Sequence, residues 1–123
     1  MDPLTTPLPE IAPKVTAARA AFVAGSLSTY DSRVALLTAM RSLIVEREDA
    51  LLDALAADFG KPRTEAWVTE VGFTLTDIDH TLANLSAWMK PERVATPLTF
   101  KPGSSHIVPE PLGVTCVIAP WNY

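Results

Sequence analysis

The residues best placed to do chemistry lie at the end of the chain, in the motif Pro120-Trp121-Asn122-Tyr123. They follow Gly113 to Ala119, a continuous apolar run that contains one hydroxyl and one thiol. Such a run is typical of a strand that is buried on both faces of a parallel sheet. Because open α/β sheets bind ligands beyond the carboxyl ends of their strands, we expect this motif to border a binding site. Asn122 and Trp121 also have simpler interpretations, as a turn residue and a core residue.

Two other residue types that often do chemistry have simpler interpretations here. Cys116 is the single cysteine, and it lies inside the apolar run with no His, Lys or Arg near it in the sequence. A cysteine in such a place packs as a small hydrophobic residue, so we do not expect it to be a nucleophile. His80 follows Asp77 by three residues, but a carboxylate-bridged metal site needs two such pairs and further glutamates. We therefore predict no metal site, and a hydrogen-bonded or solvated role for His80 and His106.

The composition restricts the functional classes. The 123 residues are 48% hydrophobic and 20% charged, which is typical of a globular protein. The net charge is −4 and Lys and Arg form no cluster, so nucleic acid is not an expected partner. No apolar stretch approaches the ~18 residues of a membrane span, and the start of the chain lacks the basic and apolar regions of a signal peptide. These features predict a cytoplasmic location.

The first half of the chain is predicted to be helical after a proline-rich lead-in at residues 1–13. An alanine-rich stretch from Lys14 to Ala24 predicts a first helix, which ends at a glycine. Ser28 is the predicted cap of the next helix. Apolar residues then keep helical spacing as far as Gly60. The polar cluster at 46–49 predicts a bend, or a break into two helices.

A second long helix is predicted from about Thr64 to Met89. Its apolar residues step by three or four and form one continuous stripe, made of Trp67, Val71, Leu75, Ile78, Leu82 and Leu85. Pro91 ends this helix. Extended-type residues on both sides of a turn at 102–105 then predict a two-stranded hairpin within 91–111. Its prolines confine this hairpin to the edge of a sheet.

These elements do not make a balanced fold by themselves. A strand at 113–119 needs parallel neighbours, which return through crossover connections of about a dozen residues or more, and none follows it. Alone, the strand exposes apolar surface and unpaired backbone groups. We therefore predict an incomplete α/β fold, with a helical segment at 14–90, a hairpin at 91–111 and the first strand of a larger parallel sheet.

Four stretches of the chain resemble the aldehyde dehydrogenase family, in particular its class 3, fatty-aldehyde and coniferyl-aldehyde branch. Three of them resemble the family's successive N-terminal helices, and these are 20–25, 33–61 and 65–88. The fourth is the most specific. Pro109-Glu110-Pro111-Leu112-Gly113-Val114, followed by Ile118-Ala119-Pro120-Trp121-Asn122-Tyr123, resembles the entry to that family's cofactor domain. The likeness covers roughly residues 14–123.

This resemblance implies oxidation of a small-molecule aldehyde to a carboxylic acid, with NAD or NADP as the hydride acceptor. It identifies Asn122 as the donor of a side-chain amide to the oxyanion that forms when a cysteine thiolate attacks the aldehyde. An amide N–H is neutral, so it stabilises O⁻ without protonating it. Four residues match positions that line the ribose–nicotinamide end of the cofactor, and they are Ile118, Ala119, Pro120 and Trp121. By the same resemblance, residues 112–123 begin an NAD(P)-binding domain with a Rossmann-like sheet.

The resemblance also limits what the chain is expected to do alone. In the family, the nucleophilic cysteine, the general-base glutamate and the main cofactor-binding residues lie later in the sequence. We therefore expect these 123 residues to be inactive by themselves, as the N-terminal portion of a homodimeric enzyme whose subunits exchange strands. The alternative is a non-catalytic truncated subunit, which pairs with a full-length paralogue through its hairpin and its helix stripes.

Overall fold

The computed structural model describes residues 8–118, which form packed helices followed by a small hairpin. The helices are α1 Leu8–Val23, α2 Tyr30–Glu46, α3 Glu48–Phe59, α4 Arg63–Ala66 and α5 Phe73–Trp88, and a π-helical turn, Trp67–Gly72, joins the last two. The strands are β1 Glu92–Val94 and β2 Ser105–Ile107, with a 3₁₀ turn at Leu98–Phe100 between them. A helical segment followed by a hairpin is the order that the sequence predicts.

Helix α1 begins earlier than predicted, at Leu8 rather than Lys14. The first turn of a helix has N–H groups without intrahelical acceptors, so Pro9 is accepted there at no loss of a hydrogen bond. Pro13 lies inside the helix, where it removes one backbone donor. Residues 8–13 therefore belong to the first helix rather than to an extended lead-in.

The turn after α1 is a Schellman motif, which ends the helix at a defined residue. Gly25 has a φ of 73°, and its N–H donates to the carbonyl of Phe22 at 2.9 Å. The N–H of Ser26 donates to the carbonyl of Ala21 at 3.1 Å. This pair of bonds satisfies the last carbonyls of the helix, and glycine adopts the left-handed conformation without a Cβ penalty.

The predicted cap of α2, Ser28, is wrong, because the cap is Thr29. The Thr29 hydroxyl accepts a hydrogen bond from the backbone N–H of Ser32 at 3.2 Å, which satisfies one of the helix's free donors. Ser28 is part of the preceding turn instead, where its N–H donates to the Gly25 carbonyl at 3.0 Å. Ser28 therefore belongs to the turn, and its neighbour Thr29 caps the helix.

The predicted break at 46–49 is confirmed. Helix α2 ends at Glu46, Arg47 leaves the helical conformation with φ −108° and ψ 12°, and α3 begins at Glu48. Helix α3 then ends at Gly60, which has a left-handed φ of 65° and whose N–H donates to the Ala56 carbonyl at 2.8 Å.

The π-helical turn explains the one departure from the predicted apolar stripe. Most of the stripe faces inward, and its buried members are Val71, Ile78 and Leu85. Trp67, however, is 43% exposed, and Ala66 is fully buried in its place. In a π-helical turn the backbone hydrogen bonds join residues five apart in the sequence. Ala66, rather than Trp67, therefore lies on the same face as Val71. These two residues pack with Leu52 of α3 to form the core.

A bidentate ion pair joins α2 to α5. Arg41 Nε donates to Asp79 Oδ1 at 2.7 Å, and Arg41 Nη2 donates to Asp79 Oδ2 at 3.2 Å. The hydrogen bond from Arg41 holds the pKa of the Asp79 carboxyl below its usual value. Paired N–H donors fit the two carboxylate oxygens, so the pair forms a bidentate bridge between the two helices.

Replacement of Asp79 is expected to have a pH-dependent effect on stability. Because the folded pKa of Asp79 is depressed, the ion pair stabilises the protein above the unfolded pKa of about 4, and this stabilisation is lost as the pH falls through the folded pKa. Asp79→Asn should therefore lower the free energy of unfolding at neutral pH and have little effect at about pH 2. Urea titrations at both pH values measure this difference.

The control for that experiment is Asp77→Asn. Asp77 lies on the same helix and forms no ion pair in the described part of the chain. An equal loss of stability at both pH values in the Asp79 variant, or the same pH profile in the control, would contradict the assigned role of the Arg41–Asp79 pair.

The predicted hairpin is confirmed, although its strands are short. β1 and β2 pair antiparallel, with Glu92 opposite Ile107, Arg93 opposite His106 and Val94 opposite Ser105. The 3₁₀ turn that follows Pro97 occupies part of the predicted first arm, because its i→i+3 bonds replace strand pairing there. None of the helices in the described ranges is both long and apolar enough to cross a membrane.

Candidate active-site segment

The structure describes one of the predicted site residues, Ile118, whose side chain is 91% exposed. The other members of the predicted site lie outside the described residues, and these are Ala119, Pro120, Trp121 and Asn122. The part of the site that the structure shows is therefore the chain that leads to this motif. We call residues 111–118 the approach segment.

The approach segment pairs with no strand within residues 8–118. A strand exists only through its hydrogen-bonded neighbours, and the described sheet contains β1 and β2 alone. Cys116 is exposed rather than packed in a core as predicted, because no neighbouring strand in the described part of the chain pairs with this segment. Apolar side chains in the second half of the segment are accordingly exposed, and Val117 is 85% exposed.

The first part of the approach segment faces the end of α1 and the turn that follows it. A groove of about 540 Å³ lies between them. Its lining is mostly apolar and consists of Ala18, Ala21, Phe22, Gly25, Leu27, Ser28, Arg33, Pro111, Gly113 and Val114. We call residues 22–33 the α1–α2 corner. The geometry thus brings the beginning of the predicted cofactor domain against the first helix.

Gly113 lies in the approach segment where that segment lines the groove. Its φ of 113° lies in a region that L side chains rarely adopt. A Cβ added there would lie 3.9 Å from Cε1 of Phe22, which is an ordinary van der Waals distance. Glycine is therefore required at this position by the backbone conformation and not by lack of space.

Arg33 is the charged residue of the groove lining. Its Nε donates to the Leu27 carbonyl at 2.7 Å, which links the first turn of α2 to the turn that precedes it. A charge-assisted hydrogen bond of this kind is stronger than one between neutral groups. The described contact of Arg33 thus stiffens the corner.

A partly buried ion pair that the sequence analysis did not predict lies near the core. Lys61 Nζ and Glu70 Oε1 are 2.7 Å apart, with side chains 8% and 24% exposed. Glu70 belongs to the π-helical turn, and its carbonyl also accepts a hydrogen bond from the Thr74 hydroxyl at 2.6 Å. No local pattern indicates this pair, because Lys61 lies outside the helices and reaches Glu70 only through the packing of α3 against α4.

His80 takes part in contacts within its own helix. Asn84 Nδ2 donates to the His80 carbonyl at 2.8 Å and lies 3.4 Å from the ring Nδ1. The His80 ring centroid is 5.6 Å from that of Trp88. Across residues 8–118, no group of three or more His, Cys, Asp or Glu side chains is placed to hold a metal ion. The contacts of His80 are those of a hydrogen-bonded helix residue.

Comparison with known proteins gives a consistent result. The profile of the aldehyde dehydrogenase family matches residues 9–123. The chain is 38% identical over 105 residues to "Aldehyde dehydrogenase family 3 comG" of Dictyostelium discoideum, which is 85% of this chain and 22% of that protein. It is 38% identical over all 123 residues to "Aldehyde dehydrogenase family 3 member B1" of Homo sapiens, which is 25% of that protein.

A bacterial relative and a solved structure agree with these matches. "Probable coniferyl aldehyde dehydrogenase" of Pseudomonas aeruginosa is 38% identical over 106 residues, covering 85% of this chain and 22% of that protein. The substrate-bound structure of Staphylococcus aureus AldH superposes with a TM-score of 0.75 at 32% identity, covering 82% of this chain and 22% of that chain. The chain therefore spans about a quarter or less of the proteins that it matches.

Proposed function

The chain belongs to the aldehyde dehydrogenase family, and we propose that it forms the N-terminal portion of an enzyme that oxidises an aldehyde to a carboxylic acid. The observation that carries the proposal is the family match over residues 9–123, which runs through the Pro-Trp-Asn-Tyr motif. Because the chain spans at most 25% of the relatives named above, the activity is assigned to the complete enzyme that contains these residues.

We propose that Asn122 supplies the oxyanion donor of this enzyme. Attack of a thiolate on the aldehyde carbonyl moves negative charge onto the carbonyl oxygen, and a preorganised N–H donor stabilises that charge. The amide of asparagine is suited to this role because it donates a hydrogen bond and does not ionise. The family match supports the proposal, since it runs through the motif that contains Asn122.

The cofactor of this enzyme is proposed to be NAD or NADP, which accepts a hydride when bound. Residues 118–121 would line its ribose–nicotinamide end through backbone and apolar contacts. The described member of this group, Ile118, is 91% exposed with respect to the described part of the chain. An uncovered apolar side chain of this kind fits contact with the face of a flat ring, which removes apolar surface from water.

The large exposed apolar surface supports assignment to a larger fold. Among residues 8–118 the buried hydrophobic residues are Leu52, Ala66, Val71, Ile78 and Leu85. By contrast, Leu112 is 99% exposed and Val117 is 85% exposed. A contiguous apolar stretch of this extent is typical of a surface that is covered by other parts of a protein.

The 123 residues alone are expected to form no NAD(P)H from any aldehyde. The reason is that the family's nucleophilic cysteine and general-base glutamate lie in the part of the enzyme that follows. The test compares the purified chain with the complete enzyme at equal molarity, with NAD or NADP and a panel of aldehydes, by NAD(P)H fluorescence. Turnover by the isolated chain would contradict the expected inactivity, and a complete enzyme that oxidises none of the aldehydes would overturn the proposed function.

The complete enzyme is also proposed to be a cytoplasmic homodimer in which the hairpin contributes to the interface. The support is that β1 and β2 form a two-stranded sheet, so each strand has one unpaired edge in the described part of the chain. Such edges favour pairing with another strand. Sedimentation analysis of the complete enzyme tests this assignment, since a monomer at all concentrations would exclude it.

A further inference from the structure

We infer that the π-helical turn Trp67–Gly72 is a two-register device, in which flanking ion pairs hold one extra residue in the helix and so keep Ala66, rather than Trp67, in the core. In the second register the same residues would form a continuous α-helix, with Trp67 in the core and Ala66 displaced from it. The device therefore determines whether Trp67 is exposed or buried. It does not depend on the proposed enzymatic activity.

The two registers place different residues next to Leu52 of α3. In an α-helix, residues four apart differ by about 40° around the axis and residues five apart by about 140°, so Trp67 and Val71 would share a face. The apolar spacing of the sequence favours that register, and burial of a tryptophan side chain removes more apolar surface from water than burial of an alanine. The structure nevertheless has the other register, since Ala66 is 0% exposed and Trp67 is 43% exposed. We therefore look for contacts that favour the π-helical turn.

The Trp67 side chain already lies beside the core. It lines a cleft of about 310 Å³ together with Leu52, Arg63 and Thr64. Leu52 is at the same time the α3 member of the core. The position that Trp67 would take in the second register is therefore adjacent to the one that it occupies.

The ion pair between Lys61 and Glu70 favours the π-helical register. Lys61 Nζ lies 2.7 Å from Glu70 Oε1, and the two side chains are 8% and 24% exposed. If α4 stayed in place and the chain continued as an α-helix, Glu70 would lie about 40° from Ala66 around the axis, close to the core face. Its carboxylate would then turn toward the apolar core and leave Lys61. Burial of a charge without its partner is strongly destabilising.

Arg63 opposes the second route to the α-helical register, which is a rotation of α4. Its Nη1 donates to Asp53 Oδ1 at 2.8 Å, and its Nη2 donates to Asp49 Oδ1. The two aspartates lie four residues apart and so share one face of α3. A rotation of α4 that brought Trp67 inward and left Val71 in place would break both hydrogen bonds of the guanidinium group. The ion pairs of Arg63 and Glu70 thus act on the two ways of reaching the same alternative.

The test measures the solvent exposure of Trp67 by fluorine NMR in the 123-residue chain, labelled with fluorotryptophan. Trp67→Phe identifies the Trp67 resonance, and the change in its chemical shift between water and heavy water reports the exposure of the ring. The double variant Arg63→Gln/Glu70→Gln loses both sets of ion pairs. Its isotope shift at Trp67 should fall to that of a buried ring, because Trp67 then enters the core.

Deletion of Val68, an exposed residue of the turn, separates the register from the ion pairs. Without this residue Ala66 and Val71 are four apart, so an ordinary α-helix places both on one face. Trp67 should then remain exposed, even when both substitutions of the double variant are also present. A buried Trp67 in that background would show that the ion pairs do not act through the register.

The matched control is Arg41→Gln, which removes an arginine that pairs with Asp79 between α2 and α5. Because this pair does not involve the π-helical turn, the isotope shift of Trp67 should be unchanged. A Trp67 resonance that keeps its exposed isotope shift in the double variant would overturn the device. So would a resonance that moves to the position of the unfolded chain, since the second register would then not be formed.

Discussion

Replacement of Asn122 by alanine in the complete enzyme is expected to lower kcat by about 10²–10³-fold, the usual loss for one oxyanion donor. The substitution removes the side-chain amide, which is needed more in the transition state than in the ground state. The loss should therefore appear in kcat and in kcat/KM alike. Steady-state kinetics with saturating cofactor measure both quantities.

Two further variants separate hydrogen-bond donation from shape. Asn122→Asp keeps the size of the side chain but replaces the N–H donor with an oxygen, so its loss should equal or exceed that of alanine. Asn84→Ala removes a comparable amide that donates to the His80 carbonyl within α5, and its kcat should match the unsubstituted enzyme. Full turnover by either Asn122 variant would contradict the oxyanion role.

Truncation of the core at Leu52 is expected to give the largest loss of stability. Leu52 is 3% exposed and packs against Ala66 and Val71, where α3 meets the π-helical turn. Leu52→Ala removes buried methyl groups and leaves a cavity, which typically costs about 2–5 kcal/mol in the free energy of unfolding. Urea unfolding of the 123-residue chain, followed by helical circular dichroism, measures this change.

Leu51→Ala is the matched control for that experiment, because Leu51 is the adjacent residue of the same helix and is 40% exposed. Its truncation should cost clearly less than that of Leu52, since the exposed part of the side chain gains nothing from burial. Equal losses for the two variants would show that Leu52 does not lie in the core that the structure assigns to it.

Local sequence patterns predicted most of the helical segment. The break after Glu46, the end of α3 at Gly60 and the hairpin depend on nearby residues, and such signals are present in the sequence itself. The π-helical turn was not predicted, because the prediction used the α-helical spacing of three or four residues between apolar positions. The spacing from Ala66 to Val71 is five residues. The burial of Ala66 instead of Trp67 follows from that extra residue.

The candidate site was predicted through its motif and not through its geometry. The Pro-Trp-Asn-Tyr residues and the glycine before them indicate the family, and the family indicates the role of Asn122. The groove that Phe22 and Gly113 both line has no counterpart in local patterns, since its two sides come together only after α1 and the approach segment have packed. Likewise, the predicted strand at 113–119 has no hydrogen-bonded partner strand in the described part of the chain. Strand pairing depends on neighbouring strands, which a local sequence pattern does not reveal.

The most direct test of the central claim is the intact mass of the native polypeptide, captured from cells with an antibody against residues 14–90. The account predicts a mass several times 13.3 kDa, with NAD(P)-dependent aldehyde oxidation in the captured sample. A native mass of 13.3 kDa without that activity would contradict the account, and would favour a truncated subunit that pairs with a full-length paralogue.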